Sequence, residues 1–243
     1  MNPIVIALGV MLIAIILMTI FGSFFSGKST MIDKINFKAG TVPNTLGTAL
    51  TNPFSSSRTY SIWIYVNAWT TEDKNMRIFG RENDIVLYLK KGSSVLECKV
   101  QNTSSPSGLD AVLLTDVNGS NSNDNLTNVV DVTNDFPLQK WVFVTISIDS
   151  TNVVDYYLDG KLVKSIKMNS TQVPTSKDII YGIGTDIWIA KFNRSDTSSS
   201  PQQVWDMYSN SNPGSNIKDL IGNYNVNMSI LTDNVVSSSI NLF

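Results

Sequence analysis

The side chains able to do chemistry in this 243-residue chain are few, and what is missing narrows them further. There are three glutamates, Glu72, Glu82 and Glu97, one cysteine, Cys98, and no histidine. Without an imidazole the chain lacks the usual proton shuttle near neutral pH and the commonest metal ligand, so Ser/His/Asp and Cys/His hydrolysis are excluded. A single thiol forms no internal disulfide and builds no multi-thiolate zinc site. In Leu96-Glu97-Cys98-Lys99-Val100 it shares a strand face with Leu96 and Val100, the pattern of a buried thiol packing as a small hydrophobe. Glu82 and Asp84 stand two apart, which at this level reads as a solvated turn. The loop DVNGSNSNDNLT, starting at Asp116, offers oxygens from Asp116, Asn118, Ser120 and Asp124, and Asp116, Asn118 and Asp124 are its calcium candidates. It lacks the acid that closes an EF-hand loop, and a polar hairpin tip needs no ion. The expectation is therefore a chain without catalytic residues or cofactor. Trp63, Trp69, Trp141, Trp188 and Trp205 remain as aromatic surfaces for a sugar, although most tryptophans of such a domain fill its core.

The elements that would carry these residues read as short strands. In Trp141 to Lys167, Val142, Val144, Ile146 and Ile148 alternate with Trp141, Phe143, Thr145, Ser147 and Asp149, the period of a strand with two different faces. The runs Val153 to Leu158 and Lys161 to Met168 are joined by Asp159-Gly160, a pair suited to a two-residue hairpin. Tyr60 to Val66, Met76 to Arg81, Ile85 to Lys90, Val95 to Gln101, Val112 to Thr115, Asn128 to Val132, Ile179 to Ile183 and Ile187 to Phe192 are further strands, and Met228 to Leu231 is a candidate to close a sheet. Ser200-Pro201-Gln202-Gln203-Val204-Trp205-Asp206-Met207-Tyr208 reads as one helix, capped by Ser200, with Pro201 at its first position and Gln203 closing a capping box. Val204, Trp205 and Tyr208 are expected to cover one face. Regular short strands with one late helix predict an all-β sandwich of two antiparallel sheets over 58–243, with an ambiguous tail from 211.

Trp141, Val144, Tyr157, Asp159 and Gly160 form a W-x-x-V strand followed by a Y-x-D-G hairpin. Together with Trp63 in an opening aromatic strand and Ser200, Pro201 and Trp205 in the late helix, they resemble the laminin-G-like, or concanavalin A-like lectin/glucanase, domains over roughly 58–210. That resemblance implies a jelly roll and says little about ligand. Glucanases of that superfamily carry two glutamates and an aspartate on one strand, and none of the three glutamates here begins such a motif. Metal-dependent lectins of that fold use a histidine that this chain lacks, leaving sugar binding through aromatic platforms and amides.

From Ile4 to Phe25 no residue is charged, and the first charge is Lys28. Twenty-two residues at about 1.5 Å each reach about 33 Å, enough for a hydrocarbon core of about 30 Å. Residues 1–27 are thus expected to be a single-pass transmembrane anchor, with Ile4, Ile6, Leu8, Leu12, Ile16 and Phe21 in the lipid bilayer, followed by a stalk and entry segment over 28–57 with room for one short strand. Lys28, Lys34 and Lys38 against Asp33 place the rest on the cytoplasmic side. The missing disulfides agree. Six sequons, at Asn102, Asn118, Asn125, Asn169, Asn193 and Asn227, point to the other side.

The net charge of −2 and 16% charged residues offer no footprint for nucleic acid. Two function classes are left. The first is a non-enzymatic structural or interaction protein that holds partner proteins at a set distance from a membrane. Its organisation resembles membrane-anchored minor capsid proteins of large icosahedral DNA viruses, which implies a place in a virion between an internal membrane and an outer shell, facing capsid proteins from the cytoplasmic-derived side. The alternative is a membrane-anchored carbohydrate-binding or attachment module. The sequence favours the first.

Overall fold

The computed structural model describes residues 28–40, 42–69, 74–102, 127–213, 227–232 and 235–241. The proposed anchor residues Ile4, Ile6, Leu8, Leu12, Ile16 and Phe21 and the calcium candidates Asp116, Asn118 and Asp124 lie outside them, as does Val112 to Thr115. Among the described residues no helix is long and apolar enough to cross a membrane.

Valine, isoleucine and aromatic residues at alternating positions build two antiparallel sheets. The first holds β1 (Lys28–Asn36), β2 (Arg58–Val66), β7 (Trp141–Ile148), β8 (Val153–Leu158), β9 (Lys161–Lys167) and β11 (Ile187–Ser195), in the order β1-β11-β2-β7-β8-β9. The second holds β3 (Met76–Arg81), β4 (Ile85–Leu89), β5 (Leu96–Gln101), β6 (Thr127–Thr133) and β10 (Ile179–Tyr181), in the order β10-β3-β4-β5-β6. A separate hairpin pairs β12 (Asn227–Thr232) with β13 (Val235–Asn241). One helix, α1 (Pro201–Ser211), follows β11.

The core lies between the sheets. Ile62, Ile64, Val142, Val144, Ile146, Val154 and Ile189 face Ile78, Leu87, Leu89, Leu96, Cys98 and Val100, all buried. Excluding this much apolar surface from water is the main stabilising term of the sandwich. Cys98 sits inside it as a free thiol.

The stalk and entry segment contributes a strand to the sandwich. β1 pairs with β11 from Lys28↔Ser195 to Asn36↔Trp188, and Phe37 and Leu50 are core residues. Its period was obscured by the bulge between Thr30 and Ile32, which shifts the side chains between faces.

The outer face of the six-stranded sheet carries a second apolar cluster: Trp63, Phe143, Tyr157 and Ala190, closed by Val204 of α1. Ser200 accepts from the Gln203 N–H at 3.4 Å, and Gln203 Oε1 accepts from the Ser200 N–H at 2.8 Å, so the start of α1 is a complete capping box with Pro201 at its first turn. Trp205 departs from the face expected of it. Val204 is buried and Tyr208 stacks on Trp63, but Trp205 is 45% exposed, because one step along a helix turns a side chain by about 100° and only Val204 and Tyr208, four apart, share the inward stripe.

Candidate functional site

The residues of the W-x-x-V and Y-x-D-G motifs meet at one corner and are occupied with each other. Pairing between β7 and β8 begins at Val144↔Leu158, leaving the backbone of Phe143 beyond the ladder. Asp159 takes it up: its Oδ1 accepts the Phe143 N–H at 2.9 Å and its own N–H donates to the Phe143 carbonyl at 2.8 Å. Asp159 and Gly160 have φ of +47° and +77°, the left-handed pair that a two-residue hairpin requires. A Cβ on Gly160 would stand 2.9 Å from Trp205 Cε3 and 3.2 Å from Tyr208, so only glycine lets α1 close on the turn. Val144 faces the inner core and Tyr157 the outer cluster. These residues hold hairpin, strand and helix together.

Among the described residues, Asp84, Glu97 and Glu82 are also engaged; Glu72 lies outside them. Asp84, read as part of a solvated turn, is fully buried. Its Oδ1 accepts from Arg58 Nε at 2.7 Å, and its Oδ2 accepts from Tyr60 Oη at 2.5 Å and Arg81 Nη1 at 3.3 Å. Both guanidiniums and that of Arg194 are buried as well, and they donate to carbonyls of the two flanking loops: Ser56 and Gln172 for Arg58, Pro53, Thr175 and Lys177 for Arg81, Thr51 and Asn52 for Arg194. Burial, then the Asp84 charge, raise the Tyr60 phenol above its ordinary value, so it stays a neutral donor. The turn composition concealed this, since Asn83-Asp84 looks the same exposed or buried; the one signal available was three arginines flanking apolar strands.

Glu97 accepts from Lys90 at 2.7 Å and from the Tyr88 hydroxyl. Burial alone would raise its carboxyl, but the bonds from Lys90 and Tyr88 outweigh that and hold it below its ordinary range. Glu82 pairs with Lys177 at 3.2 Å.

Three more aromatic side chains continue the outer face of the six-stranded sheet beyond the cluster, with Trp141 packed against it. Trp188 on β11 is registered with Tyr65 on β2, and Tyr65 with Trp141 on β7, so one cross-strand row runs over three adjacent strands. All three are half-buried, and the Tyr65 and Trp141 rings lie 5.4 Å apart. They share the outward parity of Trp63, Phe143 and Ala190 but lie nearer the end of the strands. The Lys34 ammonium reaches over two of them, 5.9 Å from the Trp141 ring and 5.8 Å from the Trp188 ring. Two residues further out on the same face stand Asn67 and Asp186, joined at 2.9 Å, with Lys38 3.7 Å from Asp186. An aromatic row bordered by an amide, a carboxylate and amines is suited to stack on the apolar face of a sugar ring while bonding its hydroxyls. Sequence named Trp141 and Trp188 separately. Register alone brings them into line with Tyr65 and Lys34.

The other candidate tryptophans fare differently. Trp63 is buried, its Nε1 donating to Ser211 Oγ at 3.0 Å. Trp69 packs on the core and lines an open groove of about 490 Å³ with Lys74, Met76, Lys91, Gly92, Ser93 and Ser94. Among the described residues no group of three or more His, Cys, Asp or Glu side chains is arranged to hold a metal.

The Laminin_G_3 family model, described as the concanavalin A-like lectin/glucanases superfamily, matches residues 39–196. No curated protein sequence matches. Similar solved structures include a crystal structure of an HCR/D mutant, 15% identical with a TM-score of 0.50, covering 75% of this chain and 44% of that one. The binding domain of botulinum neurotoxin DC in complex with SialylT is 16% identical with a TM-score of 0.48, covering 67% and 37%. The same domain in complex with rat synaptotagmin II is 17% identical with a TM-score of 0.45, covering 63% and 36%. The chain spans less than half the length of each of these proteins.

Proposed function

We propose, from the premise that this chain belongs to the concanavalin A-like lectin/glucanases superfamily, that it is a non-enzymatic carbohydrate-binding module whose sugar contact is the row Trp188, Tyr65 and Trp141 with Lys34. The observation that carries this reading is the row itself: three half-exposed aromatic rings in register on adjacent strands, with a cation over two of them. The engaged states of Asp84, Glu97 and Glu82 support binding rather than hydrolysis. The uncharged stretch Ile4 to Phe25 supports attachment of the module to a membrane.

Calorimetric titration of the full chain in detergent with neutral and acidic oligosaccharides tests this. Saturable binding, lost in Tyr65→Ala and in Trp188→Ala with the thermal transition retained, is the expected result. Absence of binding to every sugar, or binding unchanged in both variants, would overturn it.

A second reading, a minor capsid protein linking an internal virion membrane to an outer shell, is supported by exposed apolar side chains suited to protein contact: Leu162, Val163 and Trp205. Protease protection in sealed membranes and glycan analysis at the exposed Asn169 separate the two. A protected, glycosylated sandwich favours the attachment module, and an accessible, unmodified one the capsid role.

A further inference from the structure

The six-stranded sheet ends at β9, whose far side is unpaired among the described residues. In an antiparallel ladder successive backbone groups point to opposite sides. The Met168 N–H donates across to the Asn152 carbonyl, toward β8, so the N–H and C=O groups of Ser165 and Lys167 point outward. The strand reads Lys-Leu-Val-Lys-Ser-Ile-Lys, with three cations and no acid. Lys164 donates to the Asp131 carbonyl at 2.6 Å and Lys167 to the Thr151 carbonyl, so both stems lie along the sheet margin with their charges kept.

Lysines on an edge are a common guard against unwanted pairing, but a guarded edge has no reason to display apolar side chains. Here Leu162 is 50% and Val163 45% exposed, consecutive on the edge at a bulge where Val163 has no register partner on β8. Leu162 is registered with Tyr157, on the face that α1 covers, and the helix's 45% exposed Trp205 lies over the adjoining Gly160. Open backbone groups, apolar side chains and a uniformly positive strand together specify one kind of occupant. A second copy is disfavoured, because antiparallel pairing of β9 with itself brings lysines into register with lysines.

We propose that β9 is a docking edge for an extended segment of a partner protein in which acidic and apolar residues alternate. It would add as a seventh strand with its acids beside Lys161 and Lys164, which share a face, and its apolar side chains on Leu162 and Trp205 of the other face. The surface is separate from the aromatic row and does not depend on sugar binding.

Fluorescence anisotropy of a labelled nine-residue peptide alternating Glu with Val, titrated with the full chain in detergent, tests the inference. The expected result is saturable binding that falls about tenfold or more in Ser165→Pro, which removes an outward N–H. It should fall likewise in the triple reversal Lys161→Glu, Lys164→Glu, Lys167→Glu, which should in turn bind the Lys-for-Glu counterpart of the peptide. Circular dichroism melts confirm folding, and the reversal serves if the proline variant does not fold. The inference is overturned if the wild type does not bind the acidic peptide, or if the folded reversal still binds it as the wild type does. Wild-type self-association abolished by Ser165→Pro, without peptide binding, would assign the edge to a second copy and overturn it too.

Discussion

Arg58 donates from Nε to Asp84 Oδ1 across 2.7 Å, with both side chains withdrawn from water. Asp84 is also the carboxylate facing Arg81, and the carbonyls of the flanking loops complete the bonding of both guanidiniums. The cluster fastens the 51–56 and 172–177 loops to the end of the sandwich.

Removing that carboxylate leaves buried cations facing each other. Asp84→Ala should destabilise the domain by about 3–5 kcal/mol, the range for breaking a buried ion pair from one side. Urea denaturation followed by tryptophan fluorescence measures it, and a loss below about 1 kcal/mol, typical of an exposed pair, would refute the clamp.

Asp159→Ala strips the Phe143 N–H of its acceptor and should cost about 1–2 kcal/mol. Gly160→Ala should cost about 1–3 kcal/mol, from the left-handed backbone and from contact with Trp205. Near-ultraviolet circular dichroism should show the loss around the tryptophans in the second variant and not in the first.

Asp149 and Glu97 give the domain an acid limit. Burial raises both carboxyls, but the Val153 and Thr151 donors at Asp149, and Lys90 and Tyr88 at Glu97, bring them below their ordinary values of 3.8 and 4.5. A depressed carboxyl contributes stability that is present above its unfolded value and lost as pH falls through the folded one. Stability should therefore hold down to about pH 4.5 and decline below it. Asp149→Asn should flatten that decline, as read from melting temperatures between pH 6 and 2.

Cys98 lies in the core, where burial pushes its thiol well above the ordinary value. A thiol that stays protonated and out of reach does not react. Ellman's reagent should label less than about a tenth of the native chain in an hour and all of it in denaturant; rapid native labelling would place the residue at the surface.

Much of the architecture was legible because its determinants are local. The alternation from Val142 to Ile148, the Asp159-Gly160 turn and the Ser200-Pro201-Gln203 cap each lie within a few residues, and each forms the expected element. The bounds and partner of β1 were not legible, because its bulge breaks the period and β11 lies about 160 residues away.

Residue types and spacing determined that the chain is strand-built, without histidine, and carries an uncharged stretch from Ile4 to Phe25. Only the tertiary structure decided that Asp84 is buried between Arg58 and Arg81, that Trp205 lies half-exposed over Gly160, and that Trp188, Tyr65 and Trp141 form one row. Periodicity is a property of neighbouring residues along the chain. Burial of a charge and alignment across strands depend on register and on distant loops, which no local pattern encodes.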